Sequence, residues 1–414
     1  MLARSSTALL VSLVVMLLLS RSVSFRAPIA FGLSSVTRSL SNNPRSLSMK
    51  LQTGIVGLPN VGKSTLFNAL VGSEQAQAAN FPFCTIEPNV GLVNVPDPRL
   101  SKLSTIHSSE KTVNAVMEFV DIAGIVKGAS AGEGLGNKFL SNIRMTDAIV
   151  HVVRCFINDD VIHVDGSVDP IRDVEVINLE LILADLEQSE KRLDKCKKDR
   201  SQSKAIATEI SALEKVNAEL IAGRPARKAD LNDEELLAIK SLMLLTLKPV
   251  IYAANVRDED LANGNEMSKK VVEFAKNEKN QAILVSAQVE AELAGLEHED
   301  RAAFLADLGV DDEKCGLKAL TRASYAALGL QTYYTAGPQE ARAWTIRVGS
   351  TAPQAAGVIH SDFEKGFIRA EVMSYDDLTR LGNEKAVKEA GLMRSEGKEY
   401  VMKEGDVVLF RFSS

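Results

Sequence analysis

Apolar positions along the chain fall into distinct regimes. Ala8 to Leu19 is a nearly unbroken apolar run, interrupted by Ser12 and too short for a secure membrane span. From Leu51 onward, short continuous runs end in polar punctuation: 51–56, 116–120, 148–153, 249–254 and 282–285. Runs of that length predict strands buried on both faces, as in a parallel sheet covered by helices. Between the third and fourth runs the period changes. Ile177, Leu181 and Ala184, then Ile206, Ile210, Leu213 and Leu220, recur at helical spacing on either side of the polar stretch 197–203. This predicts an antiparallel helical hairpin over about 170–235. From about Leu330 alternation dominates: 342–348 and 366–372 read as strands, 351–359 as a short helix and 405–412 as a closing strand. The expected layout is a leading segment 1–48, a domain 49–328 interrupted by the hairpin, and a small mixed sheet over 329–414.

Composition adds constraints more than chemistry. The 414 residues are 45% hydrophobic and 25% charged, which excludes fibrous and wholly disordered classes. The net charge of −6 argues against a chain-wide nucleic-acid surface, and no contact with DNA is expected. Cys84, Cys155, Cys196 and Cys315 form no Cys-x-x-Cys pair, so reduced thiols are expected rather than a disulfide scaffold or a zinc ribbon.

The leading segment differs from the rest. Residues 1–50 hold five arginines, many serines and no acid. Arg4 precedes the apolar run, which suits the core of a secretory signal, and the stretch beyond Phe25 has the acid-free character of a transit peptide. Residues 22–28 resemble the two-part import signal of algae with secondary plastids. That implies the plastid stroma, with the mitochondrion, or the cytoplasm if Met49 is the true start, as alternatives. Without residues 1–48 the chain carries 43 basic against 54 acidic residues, a net charge of −11, and no membrane association is expected of it.

The chemistry begins after the first buried run. Gly57 to Thr65 spells Gly-x-x-x-x-Gly-Lys-Ser-Thr between a strand and a helix, the setting of a phosphate loop. Asn60, Val61 and Gly62 place main-chain N–H groups on phosphate oxygens. Lys63 reaches the β- and γ-phosphates, Thr65 opens the helix, and Ser64 offers a hydroxyl to Mg²⁺. Thr85, on a proline-bounded loop, is the expected second Mg²⁺ hydroxyl. Asp121, at a strand end, is expected to hold the ion through water, and Gly124 to put an N–H on the γ-phosphate. Asn255, Val256 and Asp258 follow the next strand as an Asn-x-x-Asp element, and Ser286-Ala287 follows the last. This order defines an α/β P-loop NTPase of the GTPase type, a doubly wound sheet with its ligand at the carboxyl ends of the strands. Ile125 occupies the place where many GTPases carry a water-orienting Gln, so hydrolysis needs another positioner. His151, on a strand near the switches, is the candidate, with a buried core histidine as the alternative.

The segments 81–89 and 124–137 resemble the switch regions of the Obg family. Residues 154–156, the hairpin and the carboxyl-terminal segment resemble its YchF type, the Obg-like ATPases. The resemblance covers about 49–414. It implies ATP as the nucleotide, with Asn255 addressing the adenine and Val256, in place of the usual Lys, lining its pocket. Asp258 stands where the family usually carries Glu and keeps a carboxylate able to read guanine, so GTP remains the alternative. The carboxyl-terminal segment resembles a TGS domain, a ubiquitin-like β-grasp. This implies contact with ribosomal RNA or the ribosome by a monomer, helped by Lys191, Arg192, Lys195, Lys197, Lys198 and Arg200 near the hairpin tip. Two functional classes stay open: a Mg²⁺-dependent ATPase, and a nucleotide-sensing ribosome-binding module whose turnover only resets it.

Overall fold

The computed structural model describes residues 51–72, 89–122, 124, 135–158, 160, 161, 163, 166–199, 203–296, 298–310 and 316–413. The leading segment, the loop bearing Thr85, Ile125 with most of the glycine-rich stretch, and Arg200 lie outside these residues. In chain order the nucleotide half comprises β1 (Gln52–Val56), α1 (Lys63–Gly72), β2 (Val90–Asn94), α2 (Pro98–His107), β3 (Lys111–Val113), β4 (Val116–Asp121), α3 (Leu135–Met145) and β5 (Ala148–Arg154). The insertion follows as α4 (Pro170–Lys198), α5 (Lys204–Ile221) and α6 (Asp233–Ile239), before β6 (Val250–Asn255), α7 (Glu266–Asn277), β7 (Gln281–Val285), α8 (Ala287–Leu293), α9 (His298–Asp307) and α10 (Gly316–Ala327). The carboxyl-terminal part holds β8 (Leu330–Ala336), β9 (Glu340–Arg347), α11 (Ala352–Ile359), β10 (Phe367–Ser374), α12 (Tyr375–Leu381), β11 (Arg394–Glu396) and β12 (Asp406–Phe412).

The first sheet runs β2-β4-β1-β5-β6-β7 and is parallel except for β2, which pairs antiparallel with β4 at the edge. Every residue of β5 and β6 is buried, as continuous apolar runs require of strands covered on both faces. The carboxyl ends of β1, β4, β5, β6 and β7 therefore share one side of the sheet, which makes the site.

The hairpin forms as its periodicity predicts. Asp169 caps α4, accepting N–H bonds from Ile171 and Arg172, and Pro170 fits the first turn, where no intrahelical donor is needed. Ser203 caps α5. Ile182, Leu213, Val216, Leu220 and Ile239 close a separate core that continues to Leu244. Half of the basic cluster near the tip is already neutralised: Lys191 pairs with Glu187, Arg192 with Glu209 and Lys197 with Glu214.

The second sheet, β11-β10-β12-β8-β9-β3, crosses the boundary expected at 328/329. Its last strand, β3, comes from the nucleotide half and lies parallel to β9. The expected strands over 342–348, 366–372 and 405–412 and the short helix over 351–359 are present as β9, β10, β12 and α11. Sequence alternation did not reveal β8 or the three-residue β3 and β11. The junction is polar as well as apolar. Asp97 caps α2, takes both a 2.9 Å and a 2.8 Å bond from the Arg99 guanidinium, and accepts the Tyr334 hydroxyl. Arg99 continues to Glu404 at 2.5 Å, and Glu404 accepts the Thr332 N–H at 2.7 Å. Tyr334, Ala343 and Val407 join the core of the nucleotide half, so one apolar cluster spans both. Asp97→Ala should therefore lower stability by about 2–4 kcal/mol, because it removes a helix cap and strands a buried phenol and a guanidinium. Urea unfolding measures this; a loss below about 1 kcal/mol would show that the junction is held by apolar packing alone.

Candidate nucleotide-binding site

The phosphate loop sits between β1 and α1, and its shape follows from two unusual backbone positions. Asn60 and Gly62 both have positive φ, 61° and 94°. At Gly62 an added Cβ would lie 2.4 Å from the Asn255 amide nitrogen, so only glycine fits. The loop thus turns back on itself, and Leu66 N–H bonds the Gly62 carbonyl at 2.9 Å to start the helix. The exposed residues at that start are Ser64 and Thr65, beside the positive end of the α1 dipole.

Lys63 is buried, and its ammonium donates to the Leu58 carbonyl at 2.8 Å. Burial pulls its pKa below the usual lysine value, partly opposed by the Asp121 charge. Asp121, at the end of β4, accepts the Ser64 hydroxyl at 3.0 Å. Burial raises the Asp121 pKa, against the opposing pull of Ser64 and Lys63. Gly124 closes over this group: a Cβ there would stand 3.1 Å from Lys63 Nζ and 3.2 Å from the Pro59 nitrogen. Lys63, Ser64, Asp121 and Gly124, spread over 62 residues of sequence, thus meet at one point.

A divalent cation can be tested against this group. The buried Asp121 Oδ1 has no hydrogen-bond partner among the described residues, and its other oxygen is shared with Ser64. Two hard oxygen donors, one carboxylate and one hydroxyl, fit Mg²⁺, which characteristically takes one or two protein oxygens and completes its shell with water and phosphate. Among the described residues no cluster of three metal-ligating side chains forms an alternative cage.

The base side differs from expectation in three residues. Asn255 is buried, and its amide spans two loops: Nδ2 donates to the Val61 carbonyl at 2.9 Å while Oδ1 accepts the Ala287 N–H at 2.9 Å. In this arrangement its side chain braces the phosphate loop against the start of α8. Val256 is only 2% exposed and belongs to the apolar core. Ser286 is fully buried and caps α8 through Val289 N–H. Each lies at a strand end, where order along the chain reveals position but not side-chain direction. Asp258, by contrast, is exposed on the short turn after β6, facing solvent with its carboxylate available.

His151 also departs from the role of water positioner. Its ring is 2% exposed in the middle of the sheet, 5.5 Å from the Tyr252 ring. Burial, and secondarily the Lys63 charge, push its pKa down to about 3. It is a neutral core histidine. Two further residues lie beyond the expected site set: His163, whose Nε2 meets Asp173 at 2.8 Å, and Arg154, marked in the sequence only as part of the YchF-like segment 154–156 and fully buried at the end of β5. Only Arg154 gave a signal, a charged residue closing an apolar strand.

A phosphate loop on the first strand of a doubly wound sheet, with an Asp on the neighbouring strand end and an Asn-x-x-Asp turn two strands away, defines a P-loop NTPase of the GTPase type. Comparison places it further: the chain belongs to the YchF family. A family model described as "50S ribosome-binding GTPase" matches residues 52–192, and the YchF GTPase carboxyl-terminal model, described as a protein of unknown function, matches 330–413. The Bacillus subtilis "Ribosome-binding ATPase YchF" is 53% identical over 368 residues, 88% of this chain and 100% of that protein. The Escherichia coli O157:H7 protein of the same name is 53% identical over 366 residues. A solved structure, the Schizosaccharomyces pombe YchF GTPase, superposes with a TM-score of 0.79 at 42% identity, covering 87% of this chain and 98% of that one.

The buried histidine carries a pH signature. Folded, it titrates near 3; unfolded, near 6.5. The unfolded chain therefore takes up the proton first, and stability present above pH 6.5 is lost as pH falls toward 3, at about 1.4 kcal/mol per unit. His151→Leu should flatten the decline between pH 6.5 and 5 by about 2 kcal/mol in urea unfolding. Parallel stability curves for the two proteins would contradict the neutral assignment.

Proposed function

We propose that the chain binds and hydrolyses ATP with Mg²⁺ and acts as a nucleotide-controlled ribosome-binding factor. The observation that carries the catalytic half is the convergence of the buried Lys63 ammonium, the Ser64 hydroxyl and the half-satisfied Asp121 carboxylate at the head of α1. When bound, Mg²⁺ supplies positive charge to the β- and γ-phosphate oxygens. Ser64 and Asp121 would hold the ion, the latter directly or through water, and Thr85 is proposed to add the second hydroxyl. Lys63 would meet the β- and γ-oxygens, and Gly124 would bring its N–H to the γ-phosphate. The oxygen of an attacking water bonds to the γ-phosphorus as the bond to the bridging oxygen breaks. ADP leaves with that electron pair, and the water proton ends on phosphate. With His151 buried and neutral, no described histidine serves as the base, which supports slow intrinsic turnover that rises on a partner.

ATP is favoured over GTP because Val256 replaces the Lys that flanks guanine in Asn-Lys-x-Asp sites, and because the relatives at 53% identity are named ATPases. Their names also support the ribosome as partner. The second sheet, with α11 sharing its apolar cluster, supports the TGS reading and, with the hairpin, offers the surface for ribosomal RNA or protein. The family is read as Obg-like and the protein as a monomer. The acid-free segment 1–48 supports import into a plastid, which a fluorescent reporter fused to it would test; uniform cytosolic signal would contradict it.

Nucleotide titration tests the function itself. ATP should bind at least about tenfold tighter than GTP, a gap of roughly 1.4 kcal/mol. Asp258→Ala should leave ATP binding within about twofold and weaken residual GTP binding further, while Lys63→Ala should abolish hydrolysis. Tighter GTP than ATP binding by the unaltered protein would overturn the choice of base, and undiminished turnover in Lys63→Ala would overturn the site.

A further inference from the structure

Arg154 is the largest fully buried side chain among the described residues, 1% exposed, and the phosphate machinery does not use it. A guanidinium is costly to remove from water, so its position needs a reason. Its hydrogen bonds all end on main-chain carbonyls of the residues that follow β5. Nε donates to Phe156 at 3.1 Å, one terminal nitrogen to Val161 at 3.0 Å and the other to Asn158 at 3.1 Å. The same group lies 4.8 Å over the Phe156 ring. Among the described residues no carboxylate pairs with it in contact; Asp173, itself held by His163, compensates its charge from farther away. Three carbonyls, each served by a different guanidinium nitrogen, suit the rigid fork of Arg and not the single ammonium of Lys.

The loop fixed in this way lies against the base-side turn. Arg154 stands opposite Asn255 in the parallel register of β5 and β6, and Cys155 N–H bonds the Asn255 carbonyl at 2.8 Å. Asn265, which caps α7, donates to the Cys155 carbonyl at 2.8 Å and to the Asp260 carboxylate at 2.7 Å. Arg257 reaches back from the base-side turn to the Ile157 carbonyl. The turn bearing Val256 to Asp260 is thus stitched at both ends to a loop whose shape Arg154 sets.

We propose that Arg154 is a positioning residue for base recognition: by holding the carbonyls of Phe156, Asn158 and Val161 it fixes a wall against the turn 255–260, and so governs affinity for the base of the nucleotide and not for its phosphates. This rests on the reading of that turn as the base site. None of the Arg154 hydrogen bonds touches the phosphate loop, so the two halves of the ligand should separate in experiment. Arg257, exposed and on the other side of the seam, supplies a variant that does not disturb the core.

The test compares the full chain with Arg154→Lys, Arg154→Met and Arg257→Ala. ATP and magnesium tripolyphosphate, which has no base, are titrated into each at fixed Mg²⁺, with thermal unfolding run alongside. ATP affinity should fall about tenfold or more in both Arg154 variants and about threefold or more in Arg257→Ala, while tripolyphosphate affinity stays within about twofold. Arg154→Lys should not rescue. Unchanged ATP affinity in a folded Arg154→Lys, or equal losses for both ligands, would overturn the proposal. If neither Arg154 variant folds, Arg257→Ala decides: ATP affinity equal to that of the unaltered protein would overturn it. An unaltered protein that binds ATP no tighter than tripolyphosphate would instead remove the base-site reading beneath it.

Discussion

The phosphate site is built around a buried ammonium whose counter-charge is itself weakened by burial. Lys63 leaves water to sit under Gly124, with one carbonyl bond and a carboxylate, Asp121, that is itself pushed toward protonation by burial. Both groups are displaced in the direction of neutrality. An anionic triphosphate would restore the charge on Lys63, and a cation at Asp121 Oδ1 would restore the charge on the carboxylate. The site is held in a state that a bound magnesium–triphosphate pair would relieve.

The sheet makes that arrangement possible by presenting several strand ends on one side. Asn255 is the keystone. Its amide ties the phosphate loop to the start of α8, so that the loop on β1 and the turns after β6 and β7 hold a common geometry. A second link runs outward. The chain between the ends of β2 and β4 passes through α2 and β3, and both are built into the carboxyl-terminal sheet, through Asp97, Tyr334 and the pairing of β3 with β9. Asp121 ends the very strand that follows β3. The carboxyl-terminal sheet and the Asp121 carboxylate are therefore joined by a short path that runs through described residues throughout.

What the sequence revealed, and what it did not, divides along a physical line. The phosphate loop was legible because its tight turn and close backbone approach demand glycines at fixed spacing from Lys63. The central strands were legible because burial on both faces demands unbroken apolar runs. Side-chain direction was not. Val256 and Ser286 occupy the expected strand ends but turn inward, and His151 differs from a catalytic histidine only in facing the core. Long-range pairings were equally silent: nothing local marks Lys111 to Val113 as the edge of a sheet more than 200 residues away, or Asp97 as the acceptor for Tyr334. Nor did any local pattern announce that Lys191, Arg192 and Lys197 near the hairpin tip pair with Glu187, Glu209 and Glu214.

The central claim is that Asp121 and Ser64 wait for a cation that arrives with the triphosphate. Calorimetric titration of ATP with and without Mg²⁺, in the unaltered protein and in Asp121→Ala, addresses it most directly. The account predicts that Mg²⁺ tightens ATP binding by about tenfold or more in the unaltered protein, about 1.4 kcal/mol, and by less than about twofold in the variant. Equal strengthening by Mg²⁺ in both proteins would contradict it.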